Sequence, residues 1–268
     1  MSNRIDQRFA ALKKEGKSAF IAYVCAGDPD LERSLEIIRA IDRAGADVLE
    51  LGLPFSDPLA DGIVNQMAAD RALKAGTTTR KVLDLVRKIR EESETPIVLY
   101  TYLNNTYAYG YEAFQADAVA AGVDGILNLD LPPDEALVNQ ELAAGKGMRQ
   151  IRLIAPTTPP ERLKMITKHA EGFVYYVSQE GVTGARSEIA TNIGENVELI
   201  RRAAGGVPVA VGFGISTPEQ AAAVAGMSDG VVVGSAIVRT IADHLDAEDL
   251  AERVYDVVKP LVDATKSV

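Results

Sequence analysis

Several stretches of this chain carry residue types that can move protons or hold an anion. Glu50 stands inside the otherwise apolar run Val48-Leu49-Glu50-Leu51. If that run is a strand, alternation sends Val48 and Glu50 to one face and the two leucines to the other. A carboxyl directed into an apolar interior keeps its proton to higher pH, which suits a group that must donate and accept near neutrality. The bland alternative is a glutamate neutralised by a cation, but no Lys or Arg flanks it locally. The following loop, residues 52–62, carries Pro54, Asp57, Pro58 and Asp61. Both aspartates can act as active-site acids, and Asp61 can equally cap a helix starting near Ile63. Two later segments, Gly212-Phe213-Gly214-Ile215-Ser216 and Gly234-Ser235-Ala236-Ile237, set glycines beside a helix start. Backbone N–H groups exposed in that way bind phosphate, although any tight turn also uses glycine. The glycine-bearing loop 178–186 reads either as a mobile lid or as an ordinary surface loop.

These residues need a scaffold, and the apolar pattern describes one. Short runs rich in Val, Ile and Leu fall at 19–24, 47–51, 96–101, 124–128, 149–155, 172–177, 207–211 and 229–233. Several are continuously apolar, which suits parallel strands covered on both faces. Helical spacing fills the intervals: Leu35, Ile38 and Ile41 on one face, and Val82, Leu85, Val86 and Ile89 on another. An internal echo, Ala44-Gly45-Ala46-Asp47, returns as Ala121-Gly122-Val123-Asp124 and more loosely as Ala225-Gly226-Met227-Ser228-Asp229. Each copy lies between a helical run and a strand, where a glycine suits the helix end. Eight strands with seven helical crossovers and a terminal helix predict a (β/α)8 TIM barrel, with residues 1–268 as one catalytic domain. The alternative, an open doubly wound sheet, lacks its glycine-rich fingerprint after the first strand. An extra amphipathic helix at about 4–14 is expected to close the bottom of the barrel.

Composition narrows the chemistry. The chain has 268 residues, a formal charge of −10, one cysteine (Cys25) and two histidines (His169 and His244). The acidic balance argues against general nucleic-acid binding. One cysteine excludes an internal disulfide and a thiolate zinc site, and both histidines are expected in helices away from the strand ends, so no metal is expected. No lysine ends a strand, as a Schiff-base aldolase would need. No apolar run approaches the roughly 18 residues of a membrane helix, and the first residues hold no signal-like apolar segment, so a cytoplasmic protein is expected. Carboxylates remain as the acid–base groups, with Tyr23, Tyr100, Tyr102 and Tyr175 near strand ends as supporting walls.

The run from Leu49 to Gly62, Leu-Glu-Leu-Gly-Leu-Pro-Phe-Ser-Asp-Pro-Leu-Ala-Asp-Gly, resembles the signature of the tryptophan synthase alpha chain family. Gly27-Asp28-Pro29, Asp130-Leu131-Pro132, Gly181-Val182-Thr183-Gly184, the 212–216 segment and Gly234-Ser235-Ala236-Ile237-Val238 resemble its other motifs, in order along essentially the whole chain. The resemblance implies retro-aldol cleavage of indole-3-glycerol phosphate to indole and glyceraldehyde 3-phosphate. It implies that Glu50 shuttles the protons and that Asp61 pairs with the indole N–H. Thr183 would help close the lid over Asp61. Gly184, Gly214, Gly234 and Ser235 would hold the phosphate, and Tyr102, Tyr175 and Phe213 would line the pocket. It further implies docking, through the region of Pro54, Asp57 and Asn104, on a beta chain that carries the pyridoxal phosphate, in an alpha2–beta2 assembly. No cofactor is expected in this chain.

Three positions depart from the family pattern: Gln179 where arginine is common, Tyr23 where phenylalanine is common, and Asn105 where proline is common. The other barrel chemistries fit less well. An epimerase would need metal-binding histidines, and indole-glycerol-phosphate synthase a lysine at a strand end. A non-catalytic activator of a beta chain would have no use for both carboxylates. A free-standing lyase that releases indole remains a separate reading.

Overall fold

The computed structural model describes residues 3–133, 135, 147–177, 186–212 and 214–268, with residues 186–192 by their backbone alone. Eight parallel strands close into a barrel in sequence order. They are β1 (Ala19–Cys25), β2 (Val48–Gly52), β3 (Ile97–Thr101), β4 (Gly125–Asn128), β5 (Arg149–Ile154), β6 (Val174–Val177), β7 (Val209–Gly212) and β8 (Gly230–Val233). Each start and end falls within two residues of the position read from the apolar runs.

Around the barrel, the described residues form α1 (Arg4–Glu15), α2 (Leu31–Ala44), α3 (Ile63–Lys74), α4 (Thr79–Arg90), α5 (Leu103–Tyr109), α6 (Tyr111–Ala121), α7 (Pro160–Thr167), α8 (Arg186–Ala203), α9 (Pro218–Ala225), α10 (Ser235–Asp243) and α11 (Leu250–Lys266). The expected single crossover per unit is too simple. Two helices lie between β2 and β3, two between β3 and β4, and two follow β8. The histidines also differ from expectation, for both sit in turns just past the ends of α7 and α10.

The alternation along each strand sorts two cores. Phe20, Leu49, Leu51, Ile97, Leu99, Val209 and Val231 point outward under the helices. Ile21, Val48, Val98, Leu127, Ile151, Ala210 and Val232 point inward. Ile5, Phe9 and Leu12 of α1 join the inward set, and Phe9 meets Phe173 with ring centroids 5.5 Å apart. The N-terminal helix therefore plugs the lower end of the barrel. It is started by a reciprocal cap between Asn3 and Asp6 and stopped by Gly16 in the left-handed region.

The sequence echo has a structural task of its own. Asp47, Asp124 and Asp229 each precede an even-numbered strand, and each accepts a hydrogen bond from the first free backbone N–H of the strand before it. The donors are Phe20 at 2.6 Å, Ile97 at 2.9 Å and Val209 at 2.8 Å. Cations then balance the carboxylates: Arg8 and Lys266 at Asp47, Arg4 and Arg90 at Asp124, and Arg201 at Asp229. The lower rim is thus satisfied by side chains, which leaves the C-terminal ends of the strands for the site.

Candidate active site

Because Leu49 and Leu51 belong to the outward core, Glu50 must point inward, one layer above Val48. Its strand neighbours in register are Tyr23 on β1 and Val98 on β3. Glu50 is only 1% exposed, and among the described residues neither carboxyl oxygen has a hydrogen-bond partner. Burial, with the charge of Asp61 second, pushes its pKa up from the usual 4.5 to about 8. At neutral pH the group is therefore mainly a neutral acid, close enough to its pKa to return as a base.

Above it lies a cavity of about 960 Å³. Its walls include Tyr23, Tyr100 and Tyr175 from the barrel, Leu129 and Leu153, and the rim residues Gly212, Gly214, Gly234 and Ser235. Asp61 also faces it, from the loop after β2. The helix-cap alternative for this residue does not hold: Gly62 is the N-cap of α3, and no side chain caps that end. The Asp61 carboxylate accepts instead from the Tyr100 hydroxyl at 2.9 Å and the Tyr102 hydroxyl at 2.7 Å, one on each oxygen. Asn65, one turn later, approaches the first oxygen at 3.5 Å. The Tyr102 hydroxyl in turn accepts from the Ala60 backbone N–H at 3.0 Å. Burial pushes the phenols of Tyr23, Tyr100, Tyr102 and Tyr175 up, so all four remain protonated.

The opposite rim is built from backbone. α10 begins at Ser235, and its N-cap Gly234 offers no side chain to the free N–H groups of the first turn. Gly214 adopts a positive φ of 80°, and its missing Cβ would face open space. Gly212 has a different reason: a Cβ there would come within 2.7 Å of the Tyr175 hydroxyl. Glycine at 212 thus leaves room for the Tyr175 ring, and the uncapped first turn of α10 leaves backbone N–H groups of the kind that can bind an anion.

Other expected site residues have distinct surroundings. Tyr102 is buried behind the 52–62 loop with its ring 5.1 Å from Phe55, and Tyr100 supplies the wall at that strand end. Asp57 and Asn104 are exposed, whereas Pro54 is buried and its carbonyl accepts from the Asn105 amide at 3.5 Å. Thr183, Gly184, Gln179 and Phe213 lie outside the described residues. Cys25 is buried, and burial pushes its thiol up, away from nucleophilic use. The reading of the sequence treated Tyr100 only as a wall. Its position two residues beyond inward-facing Val98 was the available signal, but a hydroxyl contact with a distant loop leaves no trace in spacing.

The fold and the site together define an α/β barrel whose upper cavity presents two carboxyls, one buried without a partner among the described residues and one held by tyrosines, opposite a glycine-built rim. The chain belongs to the tryptophan synthase alpha chain family, whose profile matches residues 9–266. The tryptophan synthase alpha chain of Opitutus terrae is 49% identical over 265 residues, spanning 98% of this chain and 99% of the relative. That of Gluconacetobacter diazotrophicus is 51% identical over 250 residues, spanning 93% and 91%. The crystal structure of tryptophan synthase subunit alpha from Legionella pneumophila superposes with a TM-score of 0.90 at 39% identity, covering 99% of each chain. Membership makes this a lyase of tryptophan synthesis, and an alpha chain implies a beta-chain partner. Among the described residues no helix is long and apolar enough to cross a membrane.

Proposed function

We propose that this chain, acting as one catalytic domain in the cytoplasm, cleaves indole-3-glycerol phosphate to indole and glyceraldehyde 3-phosphate. Glu50 in its acid form gives its proton to C3 of the indole ring. Asp61 accepts the indole N–H and stabilises the positive charge that this creates. The C–C bond then breaks, its electron pair returns to the ring, and the adjacent glycerol hydroxyl becomes the aldehyde as Glu50 takes up its proton. The carboxyl ends as it began, so one group serves both transfers. The observation that carries this reading is the unpartnered, fully buried Glu50 carboxyl with a pKa pushed up to about 8 inside the cavity.

Gly184, Gly214, Gly234 and Ser235 take the phosphate, Tyr100, Tyr175 and Phe213 enclose the ring while Tyr102 braces Asp61 from behind the loop, and Thr183 helps close loop 178–186 over Asp61. The indole passes to a pyridoxal-phosphate-bearing beta chain in an alpha2–beta2 assembly, and this chain holds no cofactor of its own. Docking uses the face around Pro54, Asp57 and Asn104. The apolar side chains of Leu59, Ile63 and Met67, 92%, 68% and 56% exposed at four-residue spacing, support an interface on this side.

Indole release from indole-3-glycerol phosphate, with and without added beta chain, tests the reading. Weak activity that rises with beta chain is expected. Strong activity alone would mean a free-standing indole producer, and none in either case would mean a non-catalytic barrel. Asp61→Asn is expected to lose far more in kcat than in KM, because its charge interaction strengthens in the transition state.

A further inference from the structure

Two tyrosines hold Asp61, and they do different work. Tyr102 donates to one oxygen and accepts from the Ala60 N–H, so it ties down the loop backbone as well as the carboxylate. Tyr100 has no such second bond. It faces inward at the end of β3, opposite Gly52 of β2 in register, with its ring edge-on to Tyr23 at 4.9 Å. Its hydroxyl donates to the other Asp61 oxygen at 2.9 Å. A carboxylate gripped at one oxygen can still swing about that contact, whereas one gripped at both has its plane fixed. The oxygen that Tyr102 meets keeps a further lone pair for the cavity, whereas the other also lies 3.5 Å from the Asn65 amide, a longer contact than the Tyr100 bond.

We infer that Tyr100 is a positioning residue that fixes the plane of the Asp61 carboxylate toward the substrate ring. The inference rests on the reading of the site given above. It assigns to a barrel strand, not to the loop, the final aim of the charge that meets the indole N–H. The ring is set by its strand and by Tyr23, so the aim is prepared before substrate arrives.

Tyr100→Phe keeps the ring and removes the donor. The expected result is a fall in kcat of about tenfold, the size of one charge-assisted hydrogen bond, with KM changed by less than about twofold. The pH profile adds a readout that altered packing would not move. Asp61 contributes to the raised pKa of Glu50, so a carboxylate that swings away should lower the apparent pKa of Glu50 in kcat/KM. In an Asp61→Asn background, Tyr100→Phe should cost nothing further. Tyr255→Phe, remote on α11, serves as the unaffected control.

Wild-type kcat in Tyr100→Phe, an unmoved pH profile, or an equal loss in the Asp61→Asn background would overturn the role. Inactivity of the wild-type enzyme on indole-3-glycerol phosphate would instead overturn the reading of the site, so the two failures are distinguishable. Should Tyr100→Phe fold poorly, 3-fluorotyrosine at position 100 retains both ring and donor. It should keep wild-type kcat and profile, and a loss at unchanged thermal stability would overturn the hydroxyl as the cause.

Discussion

Glu50→Gln should make this protein more stable at neutral and alkaline pH while abolishing its activity. Glu50 is 1% exposed and neither oxygen is partnered, so its charged form is strongly disfavoured in the folded state. Its pKa is about 8 when folded against 4.5 for an ordinary glutamate. Below pH 4.5 both the folded and the unfolded chain carry the proton, and the group is neutral toward stability. Between pH 4.5 and 8 the unfolded chain releases the proton first, so stability falls as pH rises. Above pH 8 the deficit levels off. At about 1.4 kcal/mol per tenfold, it reaches about 3 kcal/mol at pH 7 and about 5 kcal/mol above pH 8. Glutamine keeps the shape and cannot ionise, so it removes the deficit. Urea unfolding of both proteins at pH 5, 7 and 9 reads the difference. With a slope of roughly 3 kcal/mol per M, the variant's midpoint should exceed wild type by roughly 1 M at pH 7, more at pH 9, and hardly at all at pH 5. Unfolding midpoints that run parallel across this range would refute the argument, because a Glu50 without a raised pKa cannot produce the divergence. The same experiment asks whether the site is held at the expense of stability, as functional sites commonly are.

Other substitutions test separate parts of the structure. Asp28→Asn breaks the two-bond ion pair with Arg71, at 2.8 Å on each oxygen, and leaves a mostly buried guanidinium unpaired; about 3 kcal/mol of stability should be lost in denaturant unfolding. Phe9→Ala should cost about 3 kcal/mol by emptying the lower end of the barrel against Phe173, yet leave kcat of the folded enzyme near wild type because Glu50 sits in the layer above. Gly212→Ala would place a Cβ 2.7 Å from the Tyr175 hydroxyl and displace that ring into the cavity, so KM for indole-3-glycerol phosphate should rise severalfold with little change in unfolding midpoint.

Much of this protein is legible in its sequence because the barrel repeats one local problem eight times. A buried parallel strand must be apolar on both faces, and each helix must stop before the next strand starts. The runs and the glycines at Gly45 and Gly122 therefore mark the elements to within two residues. The inward direction of Glu50 follows from strand alternation alone, and its raised pKa from the burial that this direction brings. The tertiary structure decided what no spacing encodes. Asp61 was equally an N-cap or a site acid until the fold set the Tyr100 and Tyr102 hydroxyls of another unit on its two oxygens. The echoing aspartates read as strand openings, and only the closed barrel revealed Asp47, Asp124 and Asp229 as acceptors for the neighbouring strands. The physical reason is common to both cases. Periodicity reports which face of an element is buried, whereas a hydrogen bond between residues some 20 to 40 positions apart depends on where closure of the barrel brings two such faces together.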